Sequence, residues 1–375
     1  MSVYDMPQTT YSDLTPQIRV ISNIIQFIDP RDTPLLNVLG GLDAARSKFK
    51  VGQNGTKIEI LEDEYEPVAG ALTVTMTTNA TQFTAADASI FQDGSVILID
   101  AEYMVVKAVN TTTNICDVYA RDYGGTNAAH TTTSVITIVG MARLEGDDAD
   151  YCAITDITAP FNYTSIFQKA INVSGTQQVI DQYGISNAYA YQAAKKIPEL
   201  LRLVERMIFH GVRQIGTAIL PRSAGGLGTF ITDNTVAITT TLTKVAVDSL
   251  MEAIMLDGGN PDYITVHPSV ANDIKALIDT SSFVRTALED NQLGTAPAKR
   301  ISTQYGDLTI LMDRWQPTGT AYIIDSSKIG LYTLRPFGWK PLAVTGDSKK
   351  GEVVGEFSLL VANDKAHGKI TGITT

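Results

Sequence analysis

Residues 186–216 read SNAYAYQAAKKIPELLRLVERMIFHGVRQIG and contain the longest helical pattern of the chain. Apolar residues recur at steps of three and four, which places them along one face of an α-helix. This stripe consists of Ala193, Ile197, Leu200, Val204, Met207 and Ile208. Ser186 is in a position to cap the helix, and roughly thirty residues would extend about 45 Å. A helix of this length with one apolar stripe needs a broad surface to pack on, such as a sheet.

The polar side of this helix carries charged residues at helical spacing. Lys195 and Glu199 are spaced to pair on the solvent side. Arg202 and Glu205 are spaced in the same way, and each such pair contributes only a few tenths of a kcal/mol. Pro198 removes one backbone hydrogen bond and should bend the helix locally. The pattern therefore predicts a bent helix whose charged side faces solvent.

The first 45 residues are predicted to form an arm rather than a packed domain. A short apolar helix candidate, Ile18–Ile28, is followed by DPRDTPLLNVLGG, whose two prolines and two glycines favour turns and extended chain. Residues 49–67, FKVGQNGTKIEILEDEYEP, alternate about Asn54-Gly55, a hairpin-type turn signal. The strand predicted at Thr56–Leu61 ends in an acidic cluster. That cluster consists of Glu62, Asp63, Glu64 and Glu66.

Residues 68–142 differ in character from the sequence on either side. Threonine is dense, lysine is nearly absent, and three β-type runs follow one another, SVILIDAEYMVVKAV, NICDVYA and SVITIVGMA. Gly94, residues 110–114 and Gly124-Gly125 separate these runs at the spacing of a small all-β module. Acidic, extended sequence flanks the module on both sides. We therefore expect it to be inserted into the tip of one long hairpin, where an extra domain disturbs the fold least.

The remainder of the chain mixes helices and strands without a regular βαβ repeat. A helix is predicted at 244–257, and DYITVHPSVANDIKAL (262–277) predicts a strand followed by a helix that begins at Pro268. The stretches DLTILMD, TAYIIDSSKIGLYTL and KPLAVTGDSKKGEVVGEFSLLVANDKAHGKITGI are typical of strands joined by Gly- and Asp-rich turns. This arrangement favours an α+β fold over a doubly wound sheet.

The composition argues against several classes of protein. With 29 basic and 40 acidic residues the net charge is −11, which disfavours tight direct binding of nucleic acid. The two cysteines, Cys116 and Cys152, form neither a zinc-ligand spacing nor a disulfide framework. The first residues lack the pattern of a signal peptide, and no apolar run reaches the ~18 residues of a membrane span. We therefore expect a protein that does not act in a membrane.

The four histidines form no catalytic or metal-binding pattern. They are His130, His210, His267 and His367. His267 precedes Pro268, which favours extended backbone there, so its role is predicted to be structural. A hydrolase built around His210 or His267 would need a nucleophile that the sequence does not offer. No cofactor is predicted, and a chain of this length without a site is expected to assemble rather than to react.

Five blocks of sequence, spread over nearly the whole chain outside 68–142, follow a distinctive order. They read FIDPRDTPLLNVLG (27–40), NYTSIFQKAINVSGTQQVIDQYGISNAYAYQAAKKIPELLRLVE (162–205), PRSAGGL (221–227) with residues 231–234 after it, NPDYITVHPSV (260–270) and EFSLLVANDKAHGKITGI (356–373). Together they resemble the major head proteins of a group of tailed bacteriophages. The resemblance implies the α+β capsid fold named after phage Hong Kong 97.

The resemblance also implies a domain organisation. Its parts are an N-terminal arm, an extended loop (E-loop), a peripheral domain built on a long spine helix, and an axial domain. The implied boundaries are 1–45 for the arm, 46–67 and 143–175 for the E-loop strands, 68–142 for the inserted β-module, 176–239 and 335–375 for the peripheral domain with its spine helix at 186–216, and 240–334 for the axial domain. The chain departs from the family pattern at Leu203, where an acidic residue is expected, and at Pro198.

By the same resemblance the chain is a major capsid protein and not an enzyme. Such a protein is expected to self-assemble into hexamers and pentamers of an icosahedral head, which encloses phage double-stranded DNA without sequence-specific binding. The head is expected to be assembled in the host cytoplasm and to become part of the virion. A separate scaffolding protein or none is expected, with portal and decoration or minor capsid proteins as further partners and no membrane. An encapsulin-type compartment shell and another phage structural (tail) protein remain alternatives.

Contacts between subunits are expected to join acidic strands to basic patches of a neighbour, since exposed ion pairs fix register even where they add little affinity. The acidic candidates are Glu62, Asp63, Glu64, Glu66, Asp147 and Asp148. The basic candidates are Arg285, Lys299, Arg300, Lys349 and Lys350. The inserted module is expected to project outward as a decoration or as a clamp between capsomers.

Overall fold

The computed structural model describes residues 32–119, 121, 123, 125–146, 155–182, 185–274 and 300–374. Contacts divide the chain into two compact units. The first unit runs to Ile60 and resumes at Pro160, and the second unit is Leu61–Ala159. The helix candidate Ile18–Ile28 lies outside the described residues.

The helices and strands have the following bounds. The helices are α1 (Pro34–Val38), α2 (Ala44–Lys48), α3 (Gly175–Val179), α4 (Ala188–His210), α5 (Leu227–Phe230) and α6 (Lys244–Leu256). The strands of the first unit are β1 (Lys57–Glu59), β8 (Phe161–Tyr163), β9 (Ser165–Ser174), β10 (Thr235–Ala237), β11 (Tyr263–Val266), β12 (Arg300–Thr303), β13 (Gly306–Met312), β14 (Thr320–Ile324), β15 (Ile329–Pro341), β16 (Ser348–Val361) and β17 (Gly368–Thr371). The strands of the second unit are β2 (Ala69–Ala71), β3 (Gln82–Thr84), β4 (Ser95–Ile99), β5 (Glu102–Asn110), β6 (Ile115–Val118) and β7 (Val135–Met141).

The long helix α4 packs on an antiparallel sheet with the strand order β15-β16-β9. Leu200, Val204 and Ile208 follow one another at steps of four and are fully buried, as an apolar stripe on one helix face requires. Ile197 was predicted in the same stripe but is 45% exposed. The deeply buried part of the stripe therefore occupies the second half of the helix.

Both ends of α4 lie inside the predicted range of 186–216. The N-cap is Asn187 rather than Ser186, and its side-chain oxygen accepts a hydrogen bond of 3.0 Å from the N–H of Ala190. The helix ends at His210, where Gly211 meets the backbone that follows it. A Cβ at Gly211 would lie 2.6 Å from the carbonyl oxygen of Ala224, so only glycine permits this approach. A tertiary contact thus accompanies the end of the helix.

A second sheet of the first unit is mixed, with the order β10-β17-β14-β11-β13-β12. Among the described strands only the pairs β10–β17 and β11–β13 are parallel, which fits a fold without a regular βαβ repeat. Leu250 and Ile254 of α6 share a core with Ile264 and Val266 of β11. The boundary predicted at residue 335 does not separate the sheets, since β15 spans it and β17 returns to the mixed sheet.

Strand β1 pairs with β8, which comes after the second unit in the chain. Lys57 lies opposite Tyr163, and the N–H of Ile60 donates to the carbonyl oxygen of Pro160 at 3.0 Å. The hairpin predicted about Asn54-Gly55 is therefore not formed. A local turn signal produces a hairpin only if the flanking residues have no better partner. Here β1 has a better partner in β8. This stem brings the two ends of the second unit's chain segment together.

The second unit is a small closed barrel with the strand order β2-β7-β4-β5-β6-β3. The N–H of Thr73 donates to Thr84, and the N–H of Ala86 donates to Ala71, so the first and last strands are joined. Closure joins the two outer strands of this sheet, which is how small β domains avoid unwanted pairing. The unit has a core of its own, formed by residues such as Ile97, Ile99, Met104, Val106 and Ile136.

Candidate assembly surfaces

The acidic cluster predicted from the sequence begins where the chain enters the second unit. Glu62 and Thr158 exchange backbone hydrogen bonds of 2.9 and 2.8 Å, and the hydroxyl of Thr155 donates to the carbonyl oxygen of Glu64 at 2.9 Å. Asp63, Glu64 and Glu66 are exposed, whereas Glu62 is partly buried. Backbone pairing therefore fixes the start of the cluster at Glu62, and the Thr155 hydroxyl holds the backbone at Glu64.

Large apolar side chains accompany the acidic ones. Tyr65 is 99% exposed and Leu61 is 75% exposed, and Val68 and Ile157 are exposed as well. Exposed apolar groups of this size, close together on paired segments, are typical of an interaction surface. We call residues 61–68 together with 155–158 the acidic hairpin. It offers charge for orientation and apolar area for affinity.

The basic candidates do not lie in one patch. Arg300 opens β12 in the mixed sheet, whereas Lys349 and Lys350 belong to β16 in the other sheet. Adjacent residues of a strand point to opposite faces, so the two lysines are separated by the sheet. The ammonium of Lys349 lies 4.5 Å from the ring centre of Tyr189. The candidates Asp147, Asp148, Arg285 and Lys299 lie outside the described residues.

Two histidines considered from the sequence have local structural contacts. The Nδ1 atom of His267 accepts a hydrogen bond of 3.1 Å from the N–H of Ser269 and caps the 3₁₀ turn Pro268–Val270. The Nε2 atom of His210 lies 2.9 Å from the carbonyl oxygen of Trp315. Each contact holds one ring nitrogen against nearby backbone, which gives the side chain a structural role.

A buried carboxylate holds the base of the stem. Glu356 of β16 accepts a hydrogen bond of 2.6 Å from the hydroxyl of Thr164, one of 2.9 Å from Arg335, and one from Arg222. Burial alone would raise the pKa of Glu356, but the Thr164 hydroxyl and the two guanidinium groups lower it. The segment between β8 and β9 is therefore tied to the central strand of its sheet by a charged group with several partners.

The second unit contains a comparable buried group. Glu102 accepts hydrogen bonds from Arg121 at 2.8 and 2.9 Å and from the N–H of Ala128 at 2.8 Å. His130 lies between two carboxylates, 2.9 Å from Glu102 and 2.7 Å from Asp100. Although burial opposes it, these donors lower the pKa of Glu102. The group fastens Arg121, Ala128 and His130 to Glu102 of β5.

Glu205 was predicted on the solvent side of the long helix, and this is wrong: the residue is fully buried. Its carboxyl oxygens accept hydrogen bonds from the N–H groups of Leu35 at 2.7 Å and Leu36 at 3.0 Å. Burial raises its pKa to about 9, and the neighbouring carboxyl of Asp313, which hydrogen-bonds it, acts in the same direction. The N–H groups of Leu35 and Leu36 belong to the first turn of α1, where N–H groups have no partner within their own helix. Glu205 thus anchors the segment that leads out of the predicted arm.

Neither a metal cluster nor a membrane helix is found in the part of the chain that the structure describes. It contains no group of three or more His, Cys, Asp or Glu side chains placed to hold an ion. None of its helices is both long and apolar enough to cross a bilayer. Cys116 is buried, and this burial, with Asp117 nearby, raises the pKa of its thiol to about 12.

Comparison with solved structures shows which fold this is. The chain is similar to a structure of Mycobacterium phage Cain, with 11% identity, a TM-score of 0.52, and coverage of 99% of this chain and 100% of that one. It is also similar to the capsid of an empty GTA particle, with 9% identity, a TM-score of 0.54, and coverage of 98% of each chain. At this level of identity the likeness concerns the fold alone. The mixed helix and sheet fold is that of phage capsid proteins, as the sequence predicted.

The family is shown by the sequence itself. No curated protein matches the chain. The model of the SU10 major capsid protein family, however, matches residues 7–374, which is nearly the whole chain. The proteins of this family are structural and form capsids. The chain therefore belongs to the SU10 major capsid protein family and is a capsid-forming structural protein.

Proposed function

We propose that the subunit assembles into hexamers and pentamers, which tile the icosahedral head of a tailed phage around its double-stranded DNA. The acidic hairpin is the observation that carries this proposal. A segment anchored by backbone pairing at Glu62, with exposed Tyr65 and Leu61 beside Asp63, Glu64 and Glu66, is suited to lie on another chain. Quasi-equivalent packing needs extended overlaps of this kind, because compact faces tolerate little change in angle.

The proposed domain scheme keeps the boundaries expected from the sequence. Residues 1–45 act as the arm, and 46–67 with 143–175 as the E-loop. Residues 68–142 are the inserted module, and 240–334 the axial domain. The peripheral domain, 176–239 with 335–375, is built on α4 as its spine, and its last strand, β17, crosses into the mixed sheet that the axial domain shares. The support for the spine is the full burial of Leu200, Val204 and Ile208 against the sheet.

Negative-stain electron microscopy tests the assembly. The full chain is expressed alone and then with a neighbouring scaffold gene. Closed shells or flat capsomer lattices are expected, and a large diameter would separate a phage head from a small compartment shell. A monodisperse monomer that persists in the presence of the scaffold would contradict the proposal. Portal, decoration and minor capsid proteins are proposed as further partners, to be sought in purified virions. Assembly is proposed to take place in the host cytoplasm.

A second part of the proposal concerns the subunit contact. The acidic side chains at 62–66 and around 145–150 are proposed to face basic residues of a neighbour, with Arg300, Lys349 and Lys350 as described candidates. Neutralising Glu62, Asp63, Glu64 and Glu66 together should reduce the yield of particles and their resistance to salt. The double variant Asp63→Asn with Glu66→Gln removes two charges from the acidic hairpin. The double variant Asp87→Asn with Asp117→Asn removes the same charge elsewhere in the second unit and is the control for net charge. Particles of unchanged yield and salt stability would rule this contact out.

The inserted module is proposed to project outward as a decoration or a clamp. Its segment can be removed without the acidic hairpin, since the N–H of Ile138 donates to the carbonyl oxygen of Val68 at 2.8 Å. A variant in which two glycines replace residues 69–137 should still form capsomers. If its shells break at a lower temperature than those of the full chain, the module is a clamp. Shells of equal stability would leave only the decorative role.

A further inference from the structure

Residues 212–223, between α4 and α5, form a hairpin that we call the apolar hairpin. Gln214 and Ser223 exchange backbone hydrogen bonds of 3.0 and 3.1 Å, so its two arms are paired. Its exposed aliphatic residues are Val212, Ile215, Ile219 and Leu220. Ile219, near the tip, is 97% exposed. Exposed apolar groups of this size on a paired segment are typical of an interaction surface.

Charge at the apolar hairpin is confined to its base. Residues 214–221 contain no charged side chain. Arg213 donates a hydrogen bond of 3.0 Å to the carbonyl oxygen of Phe161. Arg222 donates to the hydroxyl and carbonyl oxygens of Thr164 at 3.0 and 3.1 Å, so both arginines are turned to the body of the first unit. The tip therefore offers apolar area without the cations that a lipid surface or a nucleic acid would need, and it suits an apolar groove of a protein.

An open groove lies at the far end of β9. It measures about 520 Å³ and is lined by Gly175, Thr176, Val179, Ile180 and Asp347, of which only Asp347 is charged. Val179 is 82% exposed and Ile180 is 55% exposed. Val344, in the turn between β15 and β16 at the same end of the sheet, is 70% exposed. The described part of the subunit thus leaves this apolar surface uncovered.

One subunit cannot bring its own hairpin to its own groove. The N–H of Ala224 donates to the hydroxyl of Ser165 at 2.7 Å, which places the end of the hairpin at the start of β9. Ile219 precedes Ala224 by five residues, so its backbone stays within about 18 Å of it. The groove begins at Gly175, directly after β9, and a strand of this length extends about 30 Å. The hairpin and the groove therefore need partners on other chains.

We propose that the apolar hairpin of one subunit inserts Ile219 and Leu220 into the groove beside α3 of a neighbouring copy. Two different surfaces of the same chain then meet, which makes the contact heterologous. Contacts of this kind close into rings when the rotation between copies permits it. The inference rests on the proposed assembly into hexamers and pentamers, and it adds a head-to-tail contact within those rings.

The small size of the contact favours a second copy over a separate protein. A stable interface between separate proteins buries about 1,200–2,000 Å² in total, which is more than one hairpin tip supplies. A neighbouring subunit is already held by the acidic hairpin in the proposed capsomer, so a second contact forms at high effective concentration. Each subunit also supplies one hairpin and one groove, so every hairpin in a closed ring finds a groove.

Cysteine cross-linking of the full-length chain tests this pairing. Particles are prepared as for negative-stain microscopy, with and without the scaffold, and are then oxidised. The variant Ile219→Cys with Val179→Cys should give a ladder of disulfide-linked chains that ends at the pentamer and hexamer on a denaturing gel. The parent chain, which keeps Cys116 and Cys152, is one control. Ile219→Cys with Val245→Cys is the other, because Val245 of α6 is 74% exposed and lies outside the groove.

An independent measurement concerns the strength of assembly. Ile219→Ser should raise the subunit concentration at which half of the chains are in capsomers by about tenfold, the effect of losing one buried aliphatic side chain. Ile219→Asp and Val179→Lys should each weaken assembly, whereas the two together should restore it through opposite charges. Val245→Ser should leave the midpoint unchanged. Sedimentation velocity of the full-length chain measures all of these midpoints.

The outcomes are distinct. A ladder from the Ile219 and Val179 pair alone, with weaker assembly of Ile219→Ser, supports the proposal. Particles that form normally without the ladder would overturn it and leave the capsid proposal intact. A disulfide-linked dimer of the single variant Ile219→Cys would also overturn it, because two hairpins would then meet at a two-fold contact. Subunits that stay monomeric at every concentration, with and without the scaffold, would contradict both proposals.

Discussion

The carboxyl group of Glu205, near the C-terminal end of α4, accepts a hydrogen bond of 2.7 Å from the backbone N–H of Leu35, which precedes it by 170 positions. Its other oxygen accepts from Leu36 at 3.0 Å. Two N–H groups at the start of α1 thereby obtain partners that the helix itself does not provide. The long helix thus fixes the point at which the predicted arm joins the folded part of the chain.

Replacing Glu205 by alanine should destabilise the subunit by about 2–4 kcal/mol, because two buried N–H groups lose their acceptor. Glu205→Gln retains one acceptor oxygen and should lose less. Urea unfolding of the unassembled subunit measures both changes. The control Arg206→Ala, at an exposed position of the same helix, should stay within about 0.5 kcal/mol. A Glu205→Ala variant as stable as the control would show that the anchor contributes nothing.

Alkaline pH should weaken this anchor. Burial and Asp313 raise the pKa of Glu205 to about 9, so the folded chain keeps a proton that the unfolded chain has already lost near pH 4.5. The unfolded state binds fewer protons in this range, and the free energy of unfolding therefore falls with rising pH, by up to about 1.4 kcal/mol per unit. The contribution is complete below pH 4.5 and lost above 9. Urea midpoints between pH 5.5 and 8.5 should fall in the parent chain relative to Glu205→Gln, and parallel curves would contradict this assignment.

Acid pH should act through His367. This residue is fully buried; its Nδ1 accepts a hydrogen bond of 3.2 Å from the N–H of Asp325, and burial lowers its pKa to about 4. The unfolded histidine binds a proton below its ordinary pKa of 6.5 while the folded one remains neutral, so stability falls as the pH is lowered from 6.5 to 4. His367→Gln should remove this slope, although it lowers stability near pH 7. The exposed His210→Gln serves as control, and an unchanged slope in His367→Gln would refute the prediction.

The buried charges of the barrel should be sensitive to the loss of one partner. Arg121→Met leaves Glu102 buried without its two hydrogen bonds of 2.8 and 2.9 Å, a change that typically costs about 3–5 kcal/mol. Because the barrel has its own core, hydrogen exchange should accelerate within 61–159 and remain unchanged in β9 and β16. The exposed Lys107→Met is the control. Uniform acceleration across the chain would mean that the two units unfold together.

The sequence by itself determined features that depend on near neighbours. The stripe of Leu200, Val204 and Ile208 identifies α4, because a helix places residues four apart on one face. The β-type runs at β4 and β5 were visible for the same reason, with a period of two. The acidic cluster at 62–66 was found because its members are adjacent. The order of the five blocks indicated the family, which the match over residues 7–374 shows.

Only the tertiary structure decided what depends on residues far apart in the chain. Glu205 follows Arg202 at the spacing of an ordinary surface ion pair. Nothing in the neighbouring sequence indicates that its carboxyl group instead binds the N–H of Leu35. Strand β1 pairs with β8, which follows the second unit in the chain, rather than with the residues before Asn54. The turn signal at Asn54-Gly55 carries no information about a strand so far along the chain. Lys349 and Lys350 are adjacent in sequence but lie on opposite sides of a sheet. Periodicity fixes the faces of an element, whereas its partner is fixed by the burial and hydrogen bonding available in the folded chain.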